Sequence, residues 1–153
     1  MELIYSALAG DTSYVRNAIR TLNWATYTVA SDGRNRYIRD DIWLTDGYGD
    51  YVRHYIRAMG VRPDLAPASK NRFLKTTSLI TEIKYLSKSI TYKTYGEAED
   101  ILRLNQKPRS VKCEGKTLPE KNVEATDSFE WRPLDSGGVL TVRHAGRNVE
   151  IGF

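Results

Sequence analysis

Residues 48–94 read YGDYVRHYIRAMGVRPDLAPASKNRFLKTTSLITEIKYLSKSITYKT, and the spacing of the apolar side chains changes inside that stretch. Before Gly60, Tyr48, Tyr51, Val52, Tyr55, Ile56 and Met59 fall at i, i+3, i+4, i+7, i+8 and i+11, the repeat of an amphipathic helix. After Lys70, Leu79, Thr81, Ile83 and Tyr85 alternate with polar neighbours, and Ile90, Tyr92 and Thr94 repeat the alternation, as strands do. VRPDLAPAS lies between them, and its prolines lack the amide that a helix needs, so it predicts an extended connector. The expected fold is α+β, with about three N-terminal helices followed by an antiparallel β-sandwich-like domain. Its boundaries are a helical segment at 1–60, a Pro-rich connector at 61–70 and a β domain at 71–153.

Towards the N-terminus, ELIYSALA (2–9) reads as a helix closed by Gly10 in the C-terminal cap position. Asp11 is placed to cap a second helix, in which Val15, Ala18, Ile19, Leu22, Ala25 and Val29 form one stripe. Ser31 to Leu44 has no sustained period and predicts a long loop, a kind of segment that disproportionately carries function. The third helix would be capped by Thr45 or Asp46. Towards the C-terminus, strands are expected around 101–104, 110–113, 128–132, 139–144 and 148–151. Glu114-Gly115, Ser136-Gly137-Gly138 and Ala145-Gly146 supply the turn residues of hairpins.

Composition narrows the function classes. The chain has 153 residues, 41% hydrophobic and 27% charged, within the range of soluble globular proteins. It holds no apolar run long enough to span a membrane, and its opening MELIYSALAG lacks the basic region of a signal peptide. Cys113 is the single cysteine and there are two histidines, so neither an internal disulfide nor the usual zinc spacings can be written; no metal or cofactor is expected. The net charge of +4 arises in residues 61–110, where ten Lys/Arg face five Asp/Glu without a run of adjacent cations. That pattern fits solvated strand surface. Nucleic acid is not an expected partner, because nucleic-acid readers show a clustered stripe or a known motif, and binding of acidic polymers is the weaker alternative.

The densest chemical constellation is RYIRDDIWLTDGYGDYVRHYIRAM (36–59), with four aspartates, four tyrosines, four arginines, one tryptophan and one histidine. Carbohydrate sites combine aromatic rings that stack on sugar faces with Asp and Arg that hydrogen-bond hydroxyls. Glycoside hydrolysis further requires a pair of carboxylates flanking the bond. Asp40, Asp41, Asp46 and Asp50 are the candidates; Asp46 and Asp50 are read as the catalytic pair, and Tyr37, Asp41, Trp43 and His54 as substrate-binding. A plainer reading stands beside each. Asp46 can be a cap, Asp50 a surface partner of Arg53 or His54, and the helix tyrosines core. His144, on a strand with no nucleophile elbow in the sequence, reads as structural, and Cys113 as a small buried hydrophobe.

TDGYGDYVRHYIRAMGVRPDLAP, FLKTTSLITEIKYLSKSITYKTYGEAEDILRL, KPRSVKCEGKTLP and GGVLTVRHAGRNVEIGF together resemble the C-terminal end of bacterial six-hairpin glycosidase-like proteins, an α/α toroid followed by a β-sandwich. The resemblance runs from about residue 12 to the end and implies a carbohydrate context, with an oligosaccharide or polysaccharide as partner. The chain departs from that pattern by offering about three helices where a closed toroid needs several more hairpins. Toroid active sites draw on several hairpins, so this chain alone is not expected to be catalytic. Self-association, a missing N-terminal domain, or a noncatalytic role as structural module then follow as expectations.

Overall fold

The computed structural model describes residues 2–27, 31, 34–36, 45–121 and 125–153. The chain divides into two compact units, Met1–Arg62 and Pro63–Phe153. It is α+β: three helices precede two antiparallel sheets of four and five strands in a sandwich-like arrangement.

In the first unit, helices α1 (Glu2–Ala9), α2 (Val15–Tyr27) and α3 (Tyr48–Val61) touch one another pairwise. Gly10 closes α1 with φ of 68°, the left-handed conformation a glycine adopts without steric cost. Asp11 caps a turn ahead of α2: its Oδ1 accepts the Ser13 amide at 2.9 Å, and the helix itself starts at Val15. Two short strands, β1 (Arg34–Arg36) and β2 (Thr45–Gly47), pair antiparallel before α3. Thr45 and Asp46 therefore lie on a strand instead of capping the helix as its sequence suggests. The expected stripe of α3 is also only partly inward. Val52 and Ile56 are exposed, whereas Ala58 is buried and the Tyr55 hydroxyl donates to the Leu22 carbonyl.

The second unit opens with a 3-10 helix at Pro63–Leu65 that contacts β6 and β10, so the Pro-rich connector is packed instead of extended. One sheet has the order β3 (Arg72–Thr76), β6 (Ala98–Leu104), β10 (Gly138–His144), β9 (Ser128–Pro133). The other runs β4 (Ile80–Tyr85), β5 (Ser89–Thr94), β11 (Asn148–Gly152), β7 (Ser110–Cys113), β8 (Lys116–Thr117). Alternate residues of each strand face one side of a sheet. Thus Ile90 and Tyr92, Leu102 and Leu104, Val111 and Cys113, Leu140 and Val142, and Val149 and Ile151 meet in one apolar core, all at 5% exposure or less. Glu114 and Gly115, both at positive φ, form the two-residue turn between β7 and β8 that the right-handed strand twist favours. Gly137, at φ 65°, comes so close to β6 that a Cβ there would lie 2.1 Å from the Leu104 carbonyl oxygen.

Candidate functional site

Of the residues proposed from sequence, Asp46 lies on β2 and Asp50 and His54 lie on α3. The β1–β2 register sets Asp46 opposite Asn35, with the Arg34–Gly47 and Arg36–Thr45 pairs on either side. Asp50 lies in the first turn of α3, and His54 follows one turn later on an exposed stretch. Tyr37, Asp40, Asp41 and Trp43 lie outside the described residues.

His54 also lines a groove of about 310 Å³ within the helical unit, with Glu2 and Arg57 as its charged side chains. Leu3, Ile4, Ala18, Leu22 and Ala58 give the same groove an apolar lining. Such a surface can bury an apolar helix face while the charged groups stay wet. Among the helical unit's described side chains and glycines, Leu3, Ser6, Ala18, Ala58 and Gly60 are buried, while Leu8 is 85% and Ile56 53% exposed.

The β unit carries a second polar recess, a cleft of about 510 Å³ lined by Thr77, Glu97, Glu99, Thr126 and Arg143 among others. Arg143 Nε donates to Glu99 Oε2 at 2.9 Å, so its charge is already engaged. On the loops that bear Thr77 and Glu97, Leu79 and Tyr95 are 72% and 70% exposed, and the Arg147 guanidinium carbon lies 5.8 Å from the Tyr95 ring centroid. A fixed, exposed aromatic ring beside hydrogen-bonding groups can stack on an apolar sugar face. Sequence reading missed this ring; the signal was the Tyr95-Gly96 turn between two strands.

Part of the basic middle segment is paired or buried. Glu82 receives Lys84 at 2.5 Å and Lys93 at 2.9 Å, and those two partners hold its carboxyl down to about 2. Lys107 pairs with Glu120 at 2.8 Å. Arg103, expected among the solvated cations, is buried at 3% exposure, its guanidinium donating to the Leu104 and Gly138 carbonyls. Cys113 is buried as expected of a small hydrophobe. Burial pushes its thiol pKa up, with Glu114 and Asp127 acting in the same sense against the Gly146 amide, which disfavours a reactive thiolate. Among the described residues, no group of three or more His, Cys, Asp or Glu could hold a metal ion, and no helix is long and apolar enough to cross a membrane.

No protein family, curated protein or solved structure matches the chain.

Proposed function

We propose that this chain is a noncatalytic module of a carbohydrate-active protein, its sandwich a self-sufficient anchor and its helices a docking face for further helices of an α/α toroid. One contrast carries this reading. The β unit closes a core of twelve buried residues and leaves Leu79, Tyr85, Leu86 and Tyr95 exposed, whereas the helical unit leaves Tyr5, Leu8, Tyr14, Trp24, Val52 and Ile56 exposed and, among its described residues, buries Leu3, Ala18 and Ala58 as its apolar side chains. Exposed apolar patches on a folded chain mark surfaces that another element covers. The toroid resemblance supplies the kind of occupant, a helical hairpin with an apolar face.

The sugar half of the reading is supported by the residue types that the β1–β2 register pairs just before α3, Asp46 opposite Asn35. There Asp46, Asp50 and His54 act as sugar contacts and not as a catalytic pair. Tyr95 is a second stacking surface, favoured by its exposure beside Arg147.

The full chain is expected to enhance the fluorescence of an apolar dye and to self-associate with rising concentration in sedimentation velocity. The double variant Leu8→Glu/Ile56→Glu should lose both behaviours. A strict monomer without dye binding contradicts the docking face. In thermal melts against neutral and acidic oligosaccharides, one sugar class should raise the transition by mass action, with Asp46→Asn and Tyr95→Ala telling the two surfaces apart. No shift with any sugar contradicts the carbohydrate half.

A further inference from the structure

Period-two spacing places Asp100 and His144 on the inward faces of β6 and β10, in line with Leu102 and Leu104 and with Leu140 and Val142. Both side chains are fully buried. His144 Nδ1 lies 2.8 Å from the Gly146 carbonyl oxygen, and Nε2 lies 2.8 Å from Asp100 Oδ2. A carbonyl oxygen can only accept, so Nδ1 carries a hydrogen. A neutral ring would then turn the bare lone pair of Nε2 towards a carboxylate oxygen, two acceptors facing each other away from water. The contact is satisfied only when it holds one further proton.

We propose that Asp100 and His144 form a proton-dependent latch that clasps β6 to β10 and, through Gly146, fixes the β10–β11 turn, so that raising the pH loosens the sandwich. The surrounding groups favour that proton. Asp127, from the loop before β9, accepts the Ala145 amide through Oδ1 at 3.0 Å and adds negative charge near the ring. Glu114, from the β7–β8 turn, takes the Arg147 and Asn148 amides at 2.7 and 2.9 Å. From β5 the Tyr92 ring stands edge-on to His144 at 6.3 Å, and from β7 the Cys113 sulfur meets Gly146. Arg143, the neighbour along β10, is engaged by Glu99.

Burial alone would lower the His144 pKa, but the Asp100 hydrogen bond, the Gly146 carbonyl and the Asp100 and Asp127 charges overcome it, and the net direction is upward. An unfolded histidine releases its proton near about 6.5. The folded chain therefore keeps a proton that the unfolded chain has lost. The latch contributes fully below about pH 6.5, and its contribution falls as pH rises towards the folded value, by at most about tenfold in the unfolding constant per pH unit. Tyr92 is raised by burial and by Asp100, and Cys113 by burial, but unfolded Cys and Tyr titrate only from about 8.5 and 10. The window from about pH 6.5 to 8 thus isolates the histidine.

Urea unfolding of the full chain, read by hydrogen exchange in the β10 peptide 138–144, tests this at pH 6.5 and 8.0. The unfolding constant of the wild type should rise more than twofold, and that rise should vanish in Asp100→Asn. Equal constants within twofold at the two pH values would overturn the latch. NMR titration of the His144 ring in the wild type needs no variant to fold. A midpoint above about 6.5 is expected, and one below it would overturn the proposal.

Discussion

Leu140→Ala is expected to destabilise the β unit by about 3–5 kcal/mol, the range for truncating a leucine that its neighbours cannot collapse around. Leu140 is fully buried on β10, paired with Leu102 of β6 on one side and Trp131 of β9 on the other. Its side chain sits in the middle of a rigid four-stranded ladder, so the vacated space persists. Urea unfolding followed by Trp131 fluorescence, with Trp24 and Trp43 replaced by Phe, reports the loss. The slope of the transition should stay the same while its midpoint falls. Leu8→Ala, at a side chain 85% exposed, should leave that midpoint almost unmoved.

Arg103→Met should cost about 2–4 kcal/mol in the same measurement, although it replaces a cation by an apolar side chain of similar length. Arg103 Nη1 donates to the Leu104 carbonyl at 2.7 Å and to the Gly138 carbonyl at 3.0 Å, and Nη2 donates to the Ser136 carbonyl. One guanidinium thus gathers the β9–β10 turn onto β6. The planar fork that reaches three carbonyls cannot be copied by an ammonium, so Arg103→Lys should recover only part of the loss. A neutral Arg103→Met would mean that the turn holds without it.

Leu140 and Arg103 also show what was legible in the sequence. The strand from Val139 to His144 follows from alternation alone, because burial on one sheet face imposes a period of two, and the turn at Glu114-Gly115 follows from the need for positive φ. The switch of period around Pro63 and Pro67 likewise marked where helices give way to strands. Arg103 was not legible. Its position on the outward face predicted a solvated cation, but the Ser136 and Gly138 carbonyls, from a turn distant in sequence, hold its guanidinium, a tertiary contact with no local signature. The β1–β2 ribbon was missed for a related reason: Arg34–Arg36 and Thr45–Gly47 are polar triplets without hydrophobic alternation, paired across an eight-residue gap. At the candidate site, Asp46, Asp50 and His54 were singled out by residue type; Asp46 lies on the ribbon and Asp50 and His54 on the first two turns of α3. Their chemistry was legible only as a class, since sugar contacts and surface ion pairs use the same side chains. The buried Asp100–His144 pair had a signal in its inward period-two positions, but alternation does not say which polar residues will meet across two strands.

The difference between the two units is tested most directly by amide hydrogen exchange on the full chain at pH 7. Amides of β5, β6, β10 and β11 should exchange through global unfolding and stay protected longest, while α1, α2 and α3 should exchange orders of magnitude faster through local opening. Helices as strongly protected as β10 would contradict the reading of an anchored sandwich carrying an unpartnered helical face.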